Sequence, residues 1–298
     1  MTAPEHPRTV LITGASSGIG RATAHLLAAD GANLILASRS DTALEQTRQE
    51  CVSRGAGDVL VVPTDVGDRK AVESLFARAL AAHGQVDAVV HCAGVVAYGT
   101  FTEVPAEVFD HLLQTNITGA ANVARSALQH FTGGPGGSLV VVGSVLGKIT
   151  TPYMSPYITS KWALHGLVRT LQIEARETPG VHVSLISPGG VNTPIYAQAG
   201  SYTGHPGHPP PPVTSPERVA REVVRALDRP QRDRDVGIAN GVMVAGFRIL
   251  PAVFDAAVAP LMRLLGQGRD AVEPHPGNVF EPVPEREAVR GRWPRIWG

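Results

Sequence analysis

The chain has 298 residues, with 26 Lys+Arg against 26 Asp+Glu and no formal net charge. That length accommodates one large α/β domain with a well-buried core, and the even charge balance speaks against broad attraction to nucleic acid or acidic membranes. Cys51 and Cys92 lack the spacing of a disulfide framework or a metal site, so a reducing cytoplasm is the expected setting. Met1 to Arg8 contains Pro4, Glu5 and Pro7 without an apolar core and does not read as a secretory signal; residues 1–7 read as a flexible lead.

From Thr9 to about Ile238, short apolar runs alternate with amphipathic stretches. The runs are Val10–Thr13, Leu34–Ala37, Val59–Val62, Ala88–His91, Leu139–Val142, Val183–Ile186 and a weaker one near Val236–Ile238. Their brevity and Val, Ile and Leu content suit strands buried on both faces of a parallel sheet. Helical patterns lie between them at Ile19–Ala29, Asp41–Arg54, Arg69–His83, Pro105–Phe131, Pro156–Glu177 and Pro216–Leu227. The alternation predicts a three-layer, doubly wound α/β fold of Rossmann type over 8–240, with a parallel seven-stranded sheet.

Three later segments stand apart. A loop over 192–214 holds His205-Pro-Gly-His208 and Pro209 to Pro212, a composition unsuited to regular structure, and reads as a lid or binding loop. The apolar stretch Val242–Leu265, within an extension over 241–270, is interrupted by Arg248, Asp255, Arg263, Pro251 and Pro260 and is no membrane span. A lid or subunit contact is the preferred reading for it, with interfacial membrane docking the alternative. The remainder, 271–298, is rich in Pro, Arg and Glu, and reads as a tail that is disordered or ordered only on contact.

The first strand runs directly into Gly14-Ala15-Ser16-Ser17-Gly18-Ile19-Gly20 and then a helix. Glycines at such a junction let the backbone turn tightly and approach a pyrophosphate held at a helix N-terminus. The second strand ends at Ser38-Arg39, where an acidic residue would bind a ribose hydroxyl and favour NAD. Arg39 instead offers a guanidinium to a 2′-phosphate, which predicts NADP(H) over NAD(H). Asp65, after the third strand, is either an adenine contact or a plain loop carboxylate.

Tyr157-Ile-Thr-Ser-Lys161 places a phenol and an ammonium four residues apart on one helix face. A cation beside the phenol favours the phenolate and lowers its pKa, making tyrosine a usable proton donor and acceptor. Ser144 ends the fifth apolar run and Tyr157 opens the next helix, so both fall at the sheet edge where α/β folds place ligands.

Together, Gly14 through Gly20, Asp65, Ala93-Gly94, Asn116, Ser144, Tyr157-x-x-x-Lys161, Pro188-Gly189 and Thr193 resemble the short-chain dehydrogenase/reductase family in its single-domain branch. The resemblance covers about Arg8 to Ile238. It implies a carbonyl–alcohol oxidoreductase in which Tyr157 is the acid/base and Lys161 lowers its pKa and binds the nicotinamide ribose. By the same resemblance Ser144 binds the substrate oxygen, and Asn116 supports a water relay from Lys161 to solvent. The cofactor would be held by Gly14, Ser16, Ser17, Gly18, Ile19, Gly20, Ser38, Arg39, Asp65, Val66, Ala93, Gly94, Asn116, Tyr157, Lys161, Pro188, Gly189, Val191 and Thr193. A homodimer or homotetramer through the helices at Pro105–Phe131 and Pro156–Glu177 is also implied.

One departure is His91-Cys92-Ala93-Gly94, where the family often has Asn-Asn-Ala-Gly; it bears on local stability, and His91 reads as buried rather than catalytic. Tyr153 has no lysine four residues on and reads as pocket lining or surface packing. His205 and His208 lack acidic or cysteine companions, so no metal is expected. The low charge around the expected pocket mouth suggests a hydrophobic small-molecule substrate. A catalytically idle NADP(H)-binding sensor or scaffold is the alternative, against which the presence of both Tyr157 and Lys161 counts.

Overall fold

The computed structural model describes residues 7–293; most of the lead read as flexible, and the last five residues of the tail, lie outside the described residues. In chain order the elements begin β1 (Thr9–Thr13), α1 (Gly18–Ala29), β2 (Asn33–Ser38), α2 (Asp41–Ser53), β3 (Val59–Pro63), α3 (Arg69–His83) and β4 (Ala88–His91). There follow β5 (Ala97–Tyr98), α4 (Ala106–Leu113), a π-helical turn (Gln114–Thr118), α5 (Gly119–Thr132), β6 (Gly137–Val142) and α6 (Ser155–Glu174). The chain continues through β7 (Val181–Pro188), β8 (Gly190–Val191), α7 (Ile195–Gln198), β9 (Gly200–Ser201) and β10 (Val213–Thr214). It closes with α8 (Pro216–Asp228), β11 (Arg234–Val236), α9 (Asn240–Ile249) and α10 (Pro251–Leu265).

Seven of the strands form one parallel sheet in the order β11-β7-β6-β4-β1-β2-β3. Alternate strand residues face opposite layers, as the two-residue strand period requires. Leu11 and Ile35 pack with Leu75, Val123, Phe131 and Leu164 from α3, α5 and α6. Val10, Ile12, Leu34 and Leu36 pack on the other face with Leu27, Leu44, Val219 and Val223 from α1, α2 and α8. Both faces are covered, which explains why these strands read as continuous apolar runs. Helix starts are set locally. The Ser40 hydroxyl accepts from Ala43 N at 3.3 Å and the Asp68 carboxylate from Lys70 N at 2.8 Å, satisfying free first-turn amides.

Three expectations differ from the structure. The helix read over Pro105–Phe131 is two helices joined by the π-helical turn. The last strand is Arg234–Val236 rather than Val236–Ile238, because Gly237, at φ 155°, turns the chain and leaves Ile238 65% exposed. The loop after β7 holds α7, β9 and β10, with β8 pairing β10 and β5 pairing β9. No helix among the described residues is long and apolar enough to cross a membrane.

Phe131 of α5 is fully buried, and its ring lies where a side chain on Gly137 would go. Phe131→Ala should therefore cost about 3–5 kcal/mol, read as a lower denaturant midpoint with an unchanged m-value.

Candidate active site

The strand order reverses between β1 and β4, and both send their chain to the same edge of the sheet. There the turn after β1 packs against the turn after β4. A side chain on Gly14 (φ 66°) would lie 2.8 Å from Ala93 N, and one on Gly20 would run into the Gly14 carbonyl. A side chain on Gly18 (φ 54°) would sit 3.2 Å from the Thr193 methyl. Only glycine permits this approach, and it leaves a cleft at the start of α1. The cleft is lined by Gly14, Ser16, Ser17, Gly18, Ile19, Gly20, Ser38, Arg39, Asp65, Val66, Ala93 and Gly94. A cradle closed to side chains and edged by helix-terminal amides fits a dinucleotide. Asp65 also caps its own turn, accepting from Gly67 N at 2.8 Å. Arg39 is not free: its guanidinium donates to the carbonyls of Asn278, Val279 and Phe280, a contact that sequence reasoning missed.

A second cavity, of about 310 Å³, adjoins the cleft and brings Ser144, Tyr157 and Lys161 together with Pro188, Gly189, Val191 and Thr193. Tyr157 and Lys161 share one face of α6, with the Lys161 Nζ 5.5 Å from the phenol ring centroid. The ammonium donates to the Val142 carbonyl at 3.2 Å. Burial pushes the Lys161 pKa down to about 8. Burial also pushes the Tyr157 phenol up to about 12, with the Ser144 hydroxyl pulling the other way. The phenol is thus raised, against the expectation that Lys161 lowers it. The ammonium lies over the ring face and its bond goes to a carbonyl, so desolvation prevails.

Asn116 is buried in the π-helical turn, a feature frequent at functional sites. Its Oδ1 accepts from Val95 N at 2.8 Å, and its Nδ2 donates to Val95 O at 2.9 Å and to Ser160 Oγ at 3.1 Å. These bonds tie the loop after β4 to α6.

Sequence reasoning missed most of the cavity wall. Tyr98, Ile149, Met154 and Tyr196 line it, together with Met243, Phe254, Val258, Leu261 and Met262 of α9 and α10. The Pro-rich loop and the apolar bias of Val242–Leu265 pointed that way without singling out these residues. Tyr153 adopts φ 70°, a conformation uncommon for a non-glycine residue, and its hydroxyl accepts from Arg263 Nε of α10 at 2.7 Å. No group of three His, Cys, Asp or Glu among the described residues could hold a metal.

His91 is buried, and its Nδ1 pairs with Thr13 Oγ1 at 2.8 Å across the junction of β1 and β4. Its Nε2 has no partner among the described residues. Burial, then the nearby Lys161 charge, pushes its pKa down to about 3.

Glycine cleft and apolar cavity meet where the strand order reverses, the layout of a Rossmann-type dinucleotide oxidoreductase. The family model for short chain dehydrogenase matches residues 8–202. The chain belongs to that family, and it is an oxidoreductase acting on CH–OH groups with NAD(P). An uncharacterised oxidoreductase of Bacillus subtilis (strain 168) is 34% identical over 259 residues, 86% of this chain and 72% of that protein. A zebrafish (Danio rerio) protein named dehydrogenase/reductase SDR family member 7B is 30% identical, over 86% of this chain and 82% of its own length. An alcohol dehydrogenase from the archaeon Thermococcus sibiricus, solved with 5-hydroxy-NADP, superposes with a TM-score of 0.67 at 31% identity, over 78% of this chain and 95% of that one.

The depressed His91 pKa has a consequence for stability. The folded state keeps the imidazole neutral, whereas the unfolded chain binds a proton below its ordinary pKa of 6.5. Stability should therefore fall as pH drops from 6.5 towards about 3. His91→Asn should remove up to about 1.4 kcal/mol per pH unit of that slope, measured by denaturant unfolding from about pH 6 to 4.5. An unchanged slope would refute the assignment.

Proposed function

We propose that the protein is an NADP(H)-dependent oxidoreductase interconverting a hydrophobic ketone or aldehyde with its alcohol. The observation that carries this reading is the convergence of Ser144, Tyr157 and Lys161 on an apolar cavity continuous with the glycine cleft. The glycine turn and Asp65 would hold the nucleotide, Lys161 and Tyr157 the nicotinamide ribose, and Pro188, Gly189, Val191 and Thr193 the nicotinamide. Bound there, the cofactor supplies or accepts the hydride. In the reducing direction Tyr157 gives its proton to the substrate oxygen as negative charge grows on it, and Ser144 donates a second hydrogen bond to that oxygen. Lys161 holds a positive charge beneath the phenol as it loses its proton. Asn116 fixes the position of α6 against the loop after β4.

The cavity wall favours apolar substrates, since Tyr98, Ile149, Met154, Phe254, Val258 and Leu261 surround the reacting groups. The extension α9–α10 acts as a lid, because its inner residues close that cavity. Association through α4–α5 and α6 and a cytoplasmic location complete the proposal.

Turnover of a carbonyl panel, read as NADPH absorbance, should favour bulky apolar substrates over small charged ones. Tyr157→Phe should cut kcat by about 10²–10⁴-fold with NADPH binding retained. Native protein that binds NADPH but turns over nothing would instead identify an idle sensor or scaffold. KM should be lower for NADP(H) than for NAD(H), and the reverse order would remove the Arg39 argument.

A further inference from the structure

Beyond α10 the chain doubles back across the nucleotide cleft, where it takes up hydrogen-bond donors suited to phosphate. Arg39 Nη1 donates to Val279 O and Phe280 O, both at 3.0 Å, and Nη2 to Asn278 O at 2.6 Å. The Gly18 amide, at the start of α1, donates to Ala288 O at 2.9 Å. Asn278, Pro282 and Glu287 line the same cleft as Ser16, Gly18 and Arg39. Burial raises the Glu287 pKa, while Ser16, Arg39 and Arg21 act to lower it, so the carboxylate lies among the groups that would receive an anion. Its Oε2 is buried without a partner among the described residues.

The segment is anchored within this run and just beyond it. Val279 is fully buried among Val95, Ala97, Val104, Val108 and Leu112. Arg286 Nη1 donates to Ala197 O at 2.8 Å, Gly291 N to Asn192 O at 3.2 Å, and Arg290 pairs with Glu217 at 2.7 Å. The middle of the segment therefore rests over the cleft as a built contact.

A guanidinium held by three carbonyls has two of its five donors left, and a carboxylate beside it repels a second anion. We propose that Asn278–Ala288 is an intramolecular ligand of the phosphate end of the cofactor site, with Glu287 standing in the anion's place, and that NADP(H) binds by displacing it. The segment thereby sets cofactor affinity and the preference for a 2′-phosphate. This rests on the dinucleotide reading of the glycine cleft.

Hydrogen exchange of the full chain, with and without saturating NADP⁺, tests the displacement. The turn at 14–20 should become more protected, while peptides within 277–291 should exchange at least about fivefold faster. Unchanged exchange over 277–291 would overturn the proposal. So would greater protection there, which would mark the segment as a cover closing on the nucleotide. In both cases protection at 14–20 would leave the dinucleotide reading intact. Failure of 14–20 to respond, with no NADP⁺ binding by calorimetry, would overturn that reading and the proposal with it.

Glu287→Gln in the full chain should tighten NADP⁺ binding by about three- to tenfold and NAD⁺ binding by less than about twofold. Unchanged or weakened NADP⁺ binding would contradict the role given to the carboxylate.

Discussion

The contact between Thr13 and His91 lies where β1 and β4 end side by side and the chain leaves them in opposite directions. Thr13 and His91 are register partners in the parallel pair, and their side chains bond at 2.8 Å. The glycine turn begins one residue after Thr13, and the Cys92-Ala93-Gly94 turn one residue after His91. Their mutual approach, with Gly14 against Ala93, depends on both strands ending level. A shift of register here would separate the glycine-turn amides from the cavity that holds Tyr157 and Lys161.

The same junction carries an electrostatic constraint. His91 and Lys161 share a buried region, and each is disfavoured as a cation by desolvation. The Lys161 charge lowers the His91 pKa further, which keeps the imidazole neutral and leaves the ammonium as the cation of the pair. An asparagine at position 91 would bond without titrating. The histidine instead couples the packing of the sheet centre to pH. The Lys161 ammonium finds its partner in the Val142 carbonyl at the end of β6, so α6 is also held to the sheet by a charged hydrogen bond.

Much of this was legible in the sequence because its determinants are local. Buried parallel strands must be short apolar runs, and all seven agree with the structure to within two residues at each end. The glycine turn, Ser144 and the Tyr157–Lys161 pair were readable because each occupies a fixed offset from a strand end or a helix start. What was not legible depends on partners distant in the chain. The π-helical turn forms where Asn116 bonds the Val95 backbone, which no helical periodicity records. Arg39 looked like a free phosphate ligand because its carbonyl partners lie about 240 residues away. The upward shift of Tyr157 follows from burial in a site walled in part by α9 and α10, and a spacing of four residues carries no information about that desolvation.

The match to the family model ends at residue 202, and much of what closes the two cavities comes after it. Helices α9 and α10 wall the apolar cavity, while residues of Asn278–Ala288 line the glycine cleft. Both are anchored on the loop that follows α7. His208 N donates to Gly266 O at 2.9 Å and Gly268 N to Pro206 O at 2.8 Å, while Ser201 N donates to His275 O at 2.8 Å. Arg263 of α10 also bonds the Tyr153 hydroxyl, four residues before Tyr157. These helices and the chain beyond them are therefore consecutive parts of one segment that shares its supports. In the proposed reading the chemistry resides in residues within the matched range, whereas the C-terminal segment beyond it walls both cavities. Walls contributed by a segment beyond the motifs would let a site readable from those motifs have a substrate range that they do not specify.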